Sequence, residues 1–204
     1  MATTTLTYFD FPGSRGEECR LALHLAGVPF TDERLQGAAW QQRKASAPFG
    51  ALPVLAVEGR PPLAQTNAIL RLIGREHGLL PTDPWEAARH EAIMDTVEDL
   101  RHRMGPMARV KDEAEKRRQR EEAAREYLPE WAAQVERQLG AGPFVGGDKI
   151  GVADLKLFVV LGPYLRGSID FVPATVFDGA PKLLALHRAV QEHPAVVAWY
   201  ARTR

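Results

Sequence analysis

The 204-residue sequence predicts an α/β domain over residues 2–81 followed by an all-helical domain over residues 84–204. Three observations carry this. Up to Leu80, short apolar runs suited to strands trade places with stretches of helical period. Leu80-Pro81-Thr82-Asp83-Pro84 then sets prolines around a polar pair, which marks a domain boundary. Beyond it, every apolar pattern has helical spacing.

Taken in order, Thr5 to Phe9 alternates around Leu6 and Tyr8 and predicts the first strand, and Phe11-Pro12-Gly13-Ser14 a loop. From Gly16 a helix carries Leu21, Ala22, Leu25 and Ala26, with Gly27 and Pro29 as its stop. Phe30 to Leu35 follows as a second strand, and Trp40 to Lys44 as an irregular or helical connector. Val54, Leu55 and Val57 supply a third strand, and a turn at Glu58-Gly59 leads to a fourth. Pro61-Pro62 cannot donate ladder hydrogen bonds, which puts that last strand at a sheet edge. At Gln65-Thr66 a helix begins, with Ile69, Leu70, Leu72 and Ile73 on one face. This order is that of a thioredoxin-like unit.

In the second domain Ile93, Val97, Leu100, Met104 and Met107 form one stripe on a long helix. Lys111 to Arg125 mixes both charge signs, as a solvated helix face does. Pro129 predicts a kink or break in the helical pattern that continues through Trp131, Val135 and Leu139. Ile150 and Leu155 sit at hydrophobic-staple positions around a helix start, where Gly151 stands in place of a capping hydroxyl at a cost of only a few tenths of a kcal/mol. Asp154 can still accept from the Gly151 N–H. Pro181 and Pro194 open two closing helices.

Composition narrows the function. Lys+Arg and Asp+Glu both number 26, so charge offers no support for a nucleic-acid partner. No apolar run approaches the ~20 residues of a membrane helix, and the N-terminus shows no signal-peptide pattern. The lone Cys19 fits a reducing, cytoplasmic setting.

The stretch from Pro48 to Thr66 holds the chemistry. Pro53 heads the third strand, so Leu52 lacks a strand partner; a cis Leu52-Pro53 bond would let it present its N–H and C=O to an extended peptide. The free N–H groups of a helix starting at Thr66 favour a carboxylate. A strand edge beside an anion site suits a small anionic peptide.

These residues resemble the glutathione site of the cytosolic glutathione transferases: a turn ending in Gly, an apolar residue, Pro, a strand, and later Gln-Ser, here Gln65-Thr66. The similarity runs from about Leu6 to Tyr200 and is strongest to the sigma class, which includes the glutathione-dependent prostaglandin D synthases. It implies a thioredoxin-like glutathione-binding domain, an all-α C-terminal helical domain, and a homodimer. It also implies glutathione as co-substrate, a hydrophobic electrophilic small molecule as the second substrate, and no metal cofactor.

The resemblance makes Tyr8 the catalytic residue. A free thiol has a pKa of about 8.5, and lowering it by roughly two units needs about 2.7 kcal/mol of differential stabilisation. A phenol hydroxyl aimed at the sulfur is a donor of suitable strength. Arg15 would add positive potential there, although its loop is one residue longer than the family's usual one; a solvated surface arginine is the other reading. Ser14 and Cys19 are rival thiol-site groups, more simply a helix-approach residue and a packed one.

Trp40 and Lys44 correspond to donors for the glycine end of glutathione, and Ala51, Leu52 and Pro53 to the segment along its backbone. Gln65, Thr66 and Asp99 correspond to the γ-glutamyl end, Asp99 reaching across the dimer. Phe9, Met104 and Met107 correspond to the electrophile pocket. Gly105-Pro106 interrupts the helical stripe where prostaglandin synthases tend to carry a large aromatic. Asp95, Glu98 and Asp99 resemble a cluster that binds divalent cations in some of those enzymes, and carboxylates at such spacing more often face water.

The expected activity is thiolate attack on an electrophilic carbon or a glutathione-assisted isomerisation. A peroxide- or disulfide-handling transferase would carry Cys at the Tyr8 position. A non-catalytic glutathione- or ligand-binding or structural protein of the same fold is the alternative from another class.

Overall fold

The computed structural model describes residues 3–202, which divide into two units: residues 3–82 together with 193–202, and Asp83–Glu192. In the first, strand β1 (Thr4–Phe9) lies at the centre of a four-stranded sheet. It pairs in parallel with β2 (Thr31–Leu35) and antiparallel with β3 (Val54–Val57), which pairs in turn with β4 (Leu63–Ala64). The order is β2-β1-β3-β4, so the strand after Pro61-Pro62 is at the edge, as its missing donors require. The period-two face of β1 buries Leu6 and Tyr8.

Helix α1 (Ser14–Leu25) packs against β1, against α3 (Thr66–Glu76) and against α9 (Pro194–Arg202). Because three elements surround it, α1 is buried from Gly16 to Leu23 on every face, including Glu17, Glu18 and Arg20. The apolar stripe expected from the sequence covers one side only; Leu25 is half-buried. Arg20 and Glu17 are paired inside, as burial demands. Arg20 is fully buried, with Nε 2.8 Å from Asp32 Oδ1 and Nη1 3.3 Å from Glu17 Oε2. It also donates to the carbonyls of Phe9 and Phe11, at 3.2 and 3.4 Å. From α9, the Trp199 indole N–H donates to Glu17 Oε1 at 2.7 Å. Helix α3 is the ordinary amphipathic case, burying Ile69, Leu70 and Ile73 for roughly 1.5–3 kcal/mol each. The connector is helical: α2 (Gly37–Arg43), then short 3₁₀ turns at Lys44–Ser46 and Pro48–Gly50.

In the second unit, α4 (Pro84–Met104) starts at Asp83, whose carboxylate accepts the Glu86 N–H at 2.9 Å. It buries Ile93, Val97, Leu100 and Met104. Met107 continues the stripe but not the helix: it lies in a 3₁₀ turn, Pro106–Arg109, after Gly105. Helices α5 (Glu113–Arg125) and α6 (Tyr127–Glu136) part at Glu126, three residues before Pro129. The offset follows from the proline ring, which clashes with the carbonyl four residues earlier, that of Arg125. α5 carries surface ion pairs such as Arg118–Glu115 at 2.7 Å.

Helix α7 (Val152–Leu165) runs between α4 and α8 (Pro181–Glu192) and is buried almost all round. Its start is secured by Asp154, fully buried, which accepts the Gly151 and Val145 N–H groups at 2.7 and 2.8 Å. Half a capping box therefore also ties down the preceding loop. No helix among the described residues is long and apolar enough to cross a membrane.

Candidate functional site

Tyr8 stands near the end of β1, only 5% exposed. Gly16 fixes its ring from the α1 side: a Cβ on Gly16 would fall 2.1 Å from Tyr8 Cδ1 and 2.3 Å from Cγ, so any larger residue would displace the ring. Phe9 and Phe11 flank it with ring centroids at 5.5 and 5.6 Å, and the Arg20 guanidinium lies 5.8 Å from its centre. Its hydroxyl lies 3.3 Å from Ser14 Oγ. Ser14 is the first residue of α1 rather than part of the approach loop, and has φ +57°, after Gly13 at +102°. That left-handed backbone is uncommon for a serine and swings its side chain toward the phenol. Arg15 is half-buried in the first turn of α1, and Cys19 is fully buried in that helix.

Further along, Trp40 on α2 is 9% exposed and meets the Phe9 ring edge-on at 6.1 Å. Lys44 is exposed at the head of its 3₁₀ turn. Ala51 is extended, the Leu52-Pro53 peptide bond is cis, and Pro53 is buried. Among the described residues, the Leu52 N–H and C=O have no backbone partner. Gln65 precedes α3 with φ +74°, a strained conformation for a non-glycine residue, and its side chain is exposed. Thr66 opens the helix at 4% exposure, and its Oγ1 is buried with no hydrogen-bond partner among the described residues. Among the described residues, no side chain caps α3. A buried hydroxyl and the first N–H groups of a helix, which have no acceptor within that helix, thus share one N-terminus, the donor set a carboxylate takes.

In the second unit, Asp99 and Asp95 are exposed on α4. Glu98 is not free to join them: it accepts from Arg101 at 2.9 Å and from fully buried Lys156 at 2.6 Å. Among the described residues no three His, Cys, Asp or Glu side chains gather to hold a metal. Burial raises the Tyr127 phenol above its ordinary range, and the Asp99 charge adds to this. Met104 and Met107 are buried in this unit; Phe9, in the first, is half-buried.

Sequence reasoning gave Ser14 as a rival thiol-site group or helix-approach residue, and passed over Gly16 and Arg20 as neighbours of the Tyr8 ring. The one available signal was the run Gly13-Ser14-Arg15-Gly16, whose two glycines bracket the positive-φ serine.

The sheet, the helical unit and this arrangement define a class. Residues 4–75 match the glutathione S-transferase N-terminal domain and residues 98–203 the glutathione S-transferase C-terminal domain, and the chain belongs to the glutathione S-transferase family. Among particular relatives, it is 34% identical over 199 residues to hematopoietic prostaglandin D synthase of Gallus gallus, covering 98% of this chain and 96% of that one. It is 33% identical over 201 residues to glutathione S-transferase 1 of Ascaris suum, covering 96% and 94%. The crystal structure of the glutathione S-transferase from Ascaris lumbricoides superposes with a TM-score of 0.88 at 32% identity, covering 99% of this chain and 98% of that one.

Proposed function

We propose that this protein is a glutathione transferase that holds glutathione as a thiolate at Tyr8 for attack on hydrophobic electrophilic small molecules, or for isomerisation assisted by that thiolate. Family membership supports glutathione chemistry. The observation that carries the residue-level reading is the donor set at the start of α3, with the orphaned Thr66 hydroxyl, in the same unit as the unpaired backbone of Leu52. Leu52 pairs with the cysteinyl backbone of the peptide, framed by Ala51 and Pro53. Gln65 and Thr66 take the γ-glutamyl carboxylate, and Trp40 and Lys44 donate to the glycine carboxylate. Arg15 adds positive potential near the sulfur. In a homodimer, Asp99 of one chain serves the γ-glutamyl amine bound by the other. Phe9, Met104 and Met107 take part in electrophile recognition.

In conjugation, the thiol proton leaves to solvent, a sulfur–carbon bond forms, and the leaving group departs with its electron pair. Tyr8 acts by donating to the sulfur while it is negative, which lowers the thiol pKa without transferring the phenolic proton. Replacing Tyr8 with Phe keeps the ring and removes one donor. The pKa of bound glutathione, read from thiolate absorbance, should rise by roughly one to two units. Turnover of a generic aromatic halide at neutral pH should fall about tenfold or more and recover partly in alkali. An unchanged thiol pKa in that variant would remove Tyr8 from the mechanism.

A further inference from the structure

We propose that Ser14 is a positioning residue for Tyr8: its hydroxyl donates to the phenol oxygen, so that the phenol's single proton is committed to the substrate thiolate. This deepens the reading above and rests on it.

Each hydroxyl carries one donor and two acceptor lone pairs. Tyr8 Oη and Ser14 Oγ are 3.3 Å apart, a long contact beside the roughly 2.5–3.0 Å of an ordinary O–H···O bond, and either hydroxyl can be the donor across it. In the structure the phenol is the donor to Ser14. A thiolate bound at Tyr8 has only acceptor capacity and claims the phenolic proton. The Ser14 proton then turns to Oη, giving a chain from Ser14 O–H to Tyr8 O–H to sulfur. Donors in series polarise one another, so the second bond strengthens the first. The same contact fixes the direction in which the phenol O–H points.

Two further features show that the contact is built in. Ser14 occupies the left-handed region at φ +57°, which a non-glycine residue adopts only under strain. Gly16, two residues on, allows α1 to lie directly on the Tyr8 ring, closer than any Cβ would permit. The start of α1 therefore grips the ring at one side and the hydroxyl at its tip. A serine that merely entered a helix would need neither feature.

Ser14→Gly tests this, because glycine accepts φ +57° without strain while the whole CH2OH side chain, and with it the donor, is removed. The thiol pKa of bound glutathione should rise by about half a unit and the neutral-pH rate fall about threefold, with glutathione affinity unchanged. The rate deficit should vanish above the shifted pKa. In a Tyr8→Phe background, Ser14→Gly should have no further effect on that pKa. Ser14→Asn, which tolerates the same backbone and keeps an N–H donor, should give a pKa between those of the parent and Ser14→Gly. No pKa shift in Ser14→Gly, where Tyr8→Phe does shift it, overturns this proposal alone. An equal shift in the Tyr8→Phe background overturns it too, by showing that Ser14 touches the sulfur itself. Silence in Tyr8→Phe alone takes down both readings.

Discussion

Arg20→Met is the sharpest test of how the first unit is held together. The arginine is fully buried among Asp32, Glu17 and the carbonyls of Phe9 and Phe11. Removing one partner of a buried ion pair costs about 3–5 kcal/mol, because the other charge is left without compensation. The structure decides where in that range the loss falls. Asp32 is 20% exposed on its side chain and keeps Arg34 at 2.8 Å, so it contributes little. The Phe9 carbonyl keeps its bond from the Phe11 N–H. Glu17 is the exposed nerve: 3% accessible, it retains only the Trp199 indole among the partners described above. The expected loss is therefore about 3 kcal/mol, measured as the shift in free energy from urea unfolding. Adding Glu17→Gln removes the stranded charge and leaves an acceptor for Trp199, so the double variant should regain about 1–2 kcal/mol. A single variant that loses less than about 1 kcal/mol, or a double variant less stable than the single, would refute the claim that buried Glu17 depends on Arg20.

Gly16→Ala should displace the Tyr8 ring, since its Cβ has no room within 2.1 Å of Cδ1. The thiol pKa of bound glutathione should rise as far as in Tyr8→Phe, by roughly one to two units, and a parent-like pKa would show that the ring is not fixed there. The His187 ring on α8 lies 4.8 Å from that of Phe158, tilted by 35°, and burial, helped by the Arg166 charge, pulls its pKa down to about 4. Its folded pKa lies below its unfolded value of about 6.5, so the unfolded chain binds the extra proton between those limits, and its contribution to stability is lost as pH falls from 6.5 to 4. His187→Phe should flatten that loss by on the order of 1–2 kcal/mol after allowance for partial exposure. Parallel pH–stability curves for parent and variant would show that the ring titrates normally.

The sequence made the sheet and its edge legible because the residues there act locally. Pro61-Pro62 excludes a central position whatever surrounds it, and Leu6 and Tyr8 share a face because strands alternate. Break positions were legible to within a turn: Pro129 announced a break, and the ring's clash four residues back set it at Glu126. What stayed hidden depends on partners remote in sequence. Nothing near Arg20 signals that α9, nearly 180 residues later, supplies the indole that bonds Glu17. Met107 kept the helical spacing after the helix itself had ended, since spacing reports a face and not the backbone that presents it. At the candidate site, the resemblance singled out Tyr8, Leu52, Gln65 and Thr66 by residue type. The positive φ of Ser14 and Gln65, and the contact of Gly16 with the phenol ring, are backbone facts that only coordinates reveal.

The placement of α9 has a consequence for the nascent chain. Residues 193–202 belong to the first unit, yet they are translated only after the whole of Asp83–Glu192. At 5–20 residues per second, a ribosome takes roughly 6–22 s to make the intervening segment of about 110 residues. During that interval α1 already carries Glu17 and Arg20, while the helix that covers them and the indole that bonds Glu17 do not yet exist. The sheet can pair and α3 can dock, but the face of α1 that α9 will cover stays open to solvent. The order of synthesis thus leaves the half of the chain begun first to be closed last.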